Sequence, residues 1–238
     1  MIEINKKYSY RNLMYMRKFY LLFRNENVNT LCSYLSWSHY RQLLILEDIN
    51  EINYYINIII NKNLSVRALQ EHIKNKEYQR LLTETKNKLI TKEKNKIDDF
   101  IKNPIIINTY GNSKIDISEK ILKEYIMHDI SNFLNELGNG FSFICDEYKI
   151  KIGNTINYID ILLFNYLYNC YVVVELKVTE SKKDHLGQIQ VYMNYIDKHI
   201  RSINQNKTIG IIVCRKDNKY LIEYSSDNRI KITTYELV

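Results

Sequence analysis

Asp160 stands inside an apolar run, Tyr158-Ile159-Asp160-Ile161-Leu162-Leu163. Glu175 and Lys177 stand in a second one, Val172-Val173-Val174-Glu175-Leu176-Lys177-Val178. Both runs read as strands. A carboxylate between apolar residues of a central strand is costly to bury unless it is paired or bound to metal. Alternation puts Glu175 and Lys177 on one face and Leu176 on the other, with the Cα atoms of the pair about 6–7 Å apart. If the two strands pair, Asp160 and Glu175 converge on one ion with Lys177 beside it. Mg²⁺, or Mn²⁺ in its place, suits such a site. It takes oxygen ligands, commonly one or two protein carboxylates, and leaves water and phosphate to complete the shell. The chemistry would be phosphodiester hydrolysis: the ion polarises the phosphate and activates a water, and the ammonium stabilises developing charge. Gln188, on the helix expected next, is placed to fix a phosphate or a water by hydrogen bonding.

The pattern Glu-x-Lys carries little information alone. It occurs at Glu84-Thr85-Lys86, Glu147-Tyr148-Lys149, Glu175-Leu176-Lys177 and Glu180-Ser181-Lys182, against about 1.7 occurrences expected from random placement. Only the third follows a strand-borne Asp and ends a hydrophobic strand. The competing reading of Asp160, Glu175 and Lys177 is a structural salt bridge on a sheet face.

The elements that must position these residues fall in the second part of the chain. Glu119 to Leu137 reads as one amphipathic helix closed by Gly138. Strands follow at Phe141–Ile152, Ile156–Phe164 and Cys170–Val178. Asp184 to Ile200 reads as a second helix, Thr208–Cys214 as a buried strand and Ile230–Tyr235 as an edge strand. This order describes an α/β domain, a mixed central sheet flanked by helices, over residues 103–238.

Residues 1–102 contain no Gly and no Pro, which suits an all-α domain with short connections. Helices are expected over Arg11–Phe23, Ser36–Leu46 and Ile49–Ile60, and over Val66–Ile73 behind a Ser65 cap. Trp37, Tyr40, Leu43 and Leu44 form one stripe, and His39 reads as packing or capping. Glu77–Phe100 is expected to be a solvated basic helix ending before Pro104.

The chain has 238 residues and a formal charge of +7. Residues 1–102 hold 18 Lys+Arg and 11 Asp+Glu, while residues 103–238 hold 16 of each, so the whole surplus lies in the first region. A localised surplus favours a polyanion partner, most often nucleic acid. Arg67, Lys86, Lys88, Lys92, Lys94 and Lys96 are the candidate phosphate contacts, and a plain solvated face is the competing reading. No apolar run suits a membrane span, and the N-terminus lacks a signal-peptide core. Four scattered cysteines without Cys-x-x-Cys argue against zinc and for a cytoplasmic protein. No phosphate loop, dinucleotide glycine motif or serine elbow is present, which removes the usual anchors of a nucleotide triphosphatase, a dinucleotide enzyme and a serine hydrolase.

Gly140 to Cys214 resembles the C-terminal nuclease domain of the YhcG family, a branch of the PD-(D/E)XK superfamily with a restriction-endonuclease-like fold. The stretches that carry the likeness are Phe133-Leu134-Asn135-Glu136-Leu137-Gly138, Gly140-Phe141-Ser142-Phe143, Tyr158 to Phe164, Val174-Glu175-Leu176-Lys177, Gly187-Gln188 and Ile209 to Cys214. Leu35-Ser36-Trp37-Ser38-His39-Tyr40 and Leu64-Ser65-Val66-Arg67-Ala68-Leu69 resemble that family's N-terminal helical domain. The resemblance implies metal ligands at Asp160 and Glu175, a catalytic lysine at Lys177 and a trailing polar residue at Gln188. It also implies an acid from the first core helix, for which Glu136, Asp129 and Glu124 compete. Glu136 is preferred because it falls in a matching stretch. Family members usually carry a further helical segment before the equivalent of Tyr8, so the chain reads as short at its N-terminus. The expectation is a Mg²⁺-dependent endonuclease acting on DNA. The alternative is a non-catalytic nucleic-acid-binding or assembly protein that keeps the nuclease fold. Self-association stays open.

Overall fold

Serine and aspartate caps set the starts of most helices in the first part of the chain. The computed structural model describes residues 9–24, 35–91, 99, 101–110, 117–180, 182–216 and 227–238. They divide into two compact units, Met1–Lys94 and Asn95–Val238. In the first unit, the helices are α1 (Tyr10–Phe23), α2 (Trp37–Leu43), α3 (Ile49–Lys62), α4 (Val66–Lys74), α5 (Glu77–Arg80) and α6 (Thr83–Thr91). Ser9, Ser36, Asp48 and Ser65 accept backbone N–H groups at the starts of α1 to α4. Asn63 ends α3 in the left-handed conformation, a common helix stop. Phe23, Tyr40, Leu43, Ile52, Tyr55, Ile59 and Leu69 form the core. Trp37 stays at the surface, edge-on to Phe19. His39 is a capping residue: Nδ1 accepts the Ser36 N–H, and Nε2 reaches the Leu64 carbonyl at 3.1 Å.

The single basic helix expected after Glu77 is two short ones. Tyr78 and Leu81 are both buried, and Leu81 is extended, so the chain turns there and α6 starts afresh at Thr83. Residues 92–98 lie outside the described residues.

The second unit contains β1 (Ile105–Ile107), α7 (Glu119–His128), α8 (Ile130–Leu137), β2 (Phe141–Ile152), β3 (Thr155–Asn165) and β4 (Cys170–Glu180). It continues with α9 (Lys183–His199), β5 (Ile209–Lys216) and β6 (Ile230–Leu237). The sheet order is β1-β6-β5-β4-β3-β2, with β2, β3 and β4 antiparallel to their neighbours and β4, β5, β6 and β1 parallel. Two apolar layers hold helices to it. Leu122, Ile126, Phe133 and Leu137 pack with Ile161, Leu163, Val172, Val174 and Leu176. Ile189, Met193 and Ile196 pack with Leu162, Val173 and Ile212.

Two expectations are corrected here. Ile230–Leu237 is interior, because Ile105–Ile107 adds a parallel strand outside it. Glu119–Leu137 is two helices, because Asp129 leaves helical geometry and caps α8, its Oδ1 accepting the Asn132 N–H at 3.1 Å. No helix among the described residues is long and apolar enough to cross a membrane.

Candidate active site

Strands β3 and β4 stay paired from Asn165↔Cys170 to Ile161↔Val174 and then separate. Extending that register by one position sets Asp160 opposite Glu175. The separation exposes the Leu176 N–H, and the Asp160 side chain takes the place of the lost strand partner, with Oδ2 accepting that N–H at 2.8 Å. Asp160 is thereby fixed to the strand that carries Glu175 and Lys177. Leu176, between those two, is fully buried in the layer beneath α7 and α8. The period-2 alternation of a strand therefore pins both polar side chains to the other face.

Lys177 Nζ donates to Glu175 Oε1 at 2.9 Å and lies 3.5 Å from Glu119 Oε2. Glu175 is 2% exposed, and its Oε2 has no hydrogen-bond partner among the described residues. Burial and the Asp160 charge push the Glu175 carboxyl up to about 7, against the opposing pull of Lys177. Burial also raises the Asp160 carboxyl, and the Leu176 N–H and Lys177 restrain that rise. Burial alone would lower the Lys177 pKa. The Glu175 bond and the carboxylates of Glu175, Glu119 and Asp160 outweigh burial and raise it, so the ammonium stays charged.

These are a buried and a partly buried carboxylate that repel each other, the buried one with an unpartnered oxygen. A hard divalent cation relieves both problems, so the residues fit an ion of the Mg²⁺ type. Among the described residues no three His, Cys, Asp or Glu side chains form a cluster that could hold an ion unaided.

Gln188 sits on α9, where His185 Nδ1 accepts the Lys182 N–H at the helix start. Its Nε2 donates to Tyr192 Oη at 3.0 Å. The Tyr192 hydroxyl is raised by burial and by Glu175 and Asp160, which ties this pair electrostatically to the carboxylates.

Glu136 does not join this group. It is 3% exposed; Oε2 accepts the Ile106 N–H at 2.9 Å, and Oε1 lies 3.5 Å from the equally buried Lys102 Nζ. It anchors β1 to α8. Asp129 is a cap. The acid that reaches Lys177 is Glu119, in the first turn of α7 behind its Ser118 cap. Ser118 was readable as a helix start. Nothing local indicates that the first turn, rather than the last, faces the strands.

Of the basic candidates, Arg67 is exposed on α4. Lys86 Nζ donates to the Gln79 carbonyl at 3.0 Å and lies over the Tyr78 ring. Lys88 pairs with Glu84 at 3.1 Å. Lys92, Lys94 and Lys96 lie outside the described residues.

The family model of the YhcG PDDEXK nuclease domain matches residues 98–238. The chain belongs to that family. Residues 2–80 match the DUF1016 N-terminal domain. Among curated proteins, "Putative nuclease YhcG" of Escherichia coli (strain K12) is 23% identical over 249 residues. That alignment covers 90% of this chain and 66% of the relative, so the chain spans a little under two thirds of that protein's length. Among solved structures, a repair endonuclease from Pyrococcus abyssi is similar with a TM-score of 0.36 and 20% identity, over 52% of this chain and 49% of that one. The structure titled EndoMS-dsDNA2 complex has a TM-score of 0.36 and 20% identity, over 55% of this chain and 48% of its own. The YhcG match contains all of Asp160, Glu175, Lys177, Gln188 and Glu119.

Proposed function

We propose that this chain is a metal-dependent nuclease that hydrolyses phosphodiester bonds of DNA. Residues 95–238 would form the nuclease domain and residues 1–94 a basic module that docks on the DNA. The observation that carries the reading is the buried, unpartnered Oε2 of Glu175 beside Asp160, with Lys177 bonded to the other oxygen. The surplus charge of residues 1–102 and the exposed Arg67 support docking.

Asp160 and Glu175 would hold the ion. When bound, the ion supplies Lewis acidity and lowers the pKa of a coordinated water. Lys177 keeps its proton and presents a fixed ammonium to the phosphate oxygens as negative charge grows on them. Asp160 holds its orientation through the Leu176 N–H. Gln188, with its Nε2 engaged by Tyr192, has its carbonyl oxygen to orient a water or a phosphate-bound group. In the reaction a water oxygen bonds to phosphorus and gives up a proton to solvent, while the bond to the leaving sugar oxygen breaks and that oxygen takes up a proton from solvent.

The test incubates the full chain with supercoiled and branched DNA, and with RNA, in Mg²⁺, Mn²⁺ or chelator. Asp160→Ala and Lys177→Ala are run alongside. Metal-dependent DNA cleavage that falls about a hundredfold or more in both variants is expected. Cleavage unaffected by either substitution refutes the site, and binding without cleavage favours a non-catalytic role.

A further inference from the structure

Resting on that nuclease reading, α7 and β2 place a second cation beside the carboxylates. Asp146 faces Ile161 and Tyr148 faces Ile159 in one unbroken register. Between them Glu147, whose place is opposite Asp160, has φ +47. Residues with a side chain avoid this left-handed region, and no register shift at this position requires it. A strained residue inside a long strand persists only where its surroundings hold it.

The partner of its side chain is Lys123. Its ammonium pairs with Glu147 Oε1, with the lysine side chain 14% exposed and the glutamate 63% exposed. Glu119 lies one turn earlier on α7 and reaches Lys177. One helix face therefore offers an acid and a base to the site. Lys123 also acts on Asp160, where it and Lys177 favour the charged carboxylate and Glu119 opposes it.

We infer that Lys123 contacts a backbone phosphate of the nucleic acid at this site, and that Glu147 is the positioning residue that aims it. An ammonium has three donors, and the Glu147 bond uses one. Its partner is a mostly exposed carboxylate, and such pairs yield readily to a better anion. A phosphodiester brought to Asp160 and Glu175 is that anion. The left-handed turn at Glu147 points its carboxylate at α7 and keeps the lysine stem from swinging into solvent.

The experiment uses the full chain and the variants Lys123→Gln, Lys123→Arg, Glu147→Gly and Asp160→Ala. Duplex DNA binding is followed by fluorescence anisotropy in chelator across a potassium chloride series. Cleavage in Mg²⁺ and urea unfolding are measured on the same proteins. Lys123→Gln should flatten the log–log salt dependence by about 0.9, the share of one phosphate. It should also cut cleavage about tenfold, and Lys123→Arg should restore most of both. Glycine is at ease at positive φ, so Glu147→Gly should unfold no earlier than the unmodified chain yet cleave more slowly. A salt slope in Lys123→Gln equal to that of the unmodified chain, or full cleavage by Glu147→Gly, overturns the inference. So does an unmodified chain that does not bind DNA. The nuclease reading fails on a different result: no metal-dependent cleavage, or undiminished cleavage by Asp160→Ala. The salt slope still decides the role of Lys123 in that case.

Discussion

The Asp160 carboxylate accepts the Leu176 N–H at 2.8 Å, at the place where β3 and β4 part. One side chain thus repairs a broken ladder and carries a charge to the site. The two roles separate by substitution. Asp160→Asn keeps an acceptor for the N–H and loses the charge, so cleavage should collapse while the urea midpoint holds. Asp160→Ala loses both. The buried amide left unpaired should cost about 1–3 kcal/mol in urea unfolding.

Glu175 titrates at about 7 in the folded chain, against an ordinary value near 4.5. Between those values the metal-free folded chain binds a proton that the unfolded chain has lost. Stability should therefore rise as pH falls from about 7 towards about 4.5, and Glu175 should contribute no slope below that. Divalent binding must displace the same proton, so apparent affinity should weaken by up to tenfold per pH unit below about 7. Urea unfolding in chelator and Mn²⁺ titration by calorimetry check the two slopes. Both should flatten in Glu175→Gln.

Two glycines of similar appearance should behave oppositely. A Cβ at Gly210 on β5 would meet Met193 Sδ at 2.6 Å and Ile189 Cδ1 at 2.8 Å, and both residues are fully buried. Gly210→Ala should cost about 1–3 kcal/mol by lifting α9, and Gln188 with it, off the sheet. A Cβ at Gly187 meets nothing within 4 Å. Gly187→Ala should stabilise α9 by up to about 1 kcal/mol. Denaturant midpoints of the two variants decide.

Lys102 and Glu136 are each 3% exposed and face each other, so removing one leaves a buried charge behind. Glu136→Ala should destabilise by about 3–5 kcal/mol. At a temperature where it is folded, its cleavage per folded molecule should match the unmodified chain. Glu119→Gln should show the reverse: little change in the unfolding midpoint, because its pair with Lys177 is half-exposed, and slower cleavage.

The amino-acid sequence by itself determined the parts of the site that depend on a local period. Alternation along a strand is a property of consecutive residues, so Glu175 and Lys177 on one face, with Leu176 buried behind them, follow from Val172 to Val178 alone. The caps at Ser36 and Ser65, and the strand spans around Asp160, are local in the same way. Tertiary structure decided what depends on distant partners. Glu119, Glu124, Asp129 and Glu136 fall in one stretch of sequence with a single helical period. Which acid meets Lys177 was set by the break at Asp129, by the docking of α7 on the sheet and by the claim of Lys102 on Glu136. The interior place of Ile230–Leu237 likewise needed Ile105–Ile107 from the far end of the domain. Periodicity fixes which way a side chain points from its own element. Only packing between elements fixes what it points at.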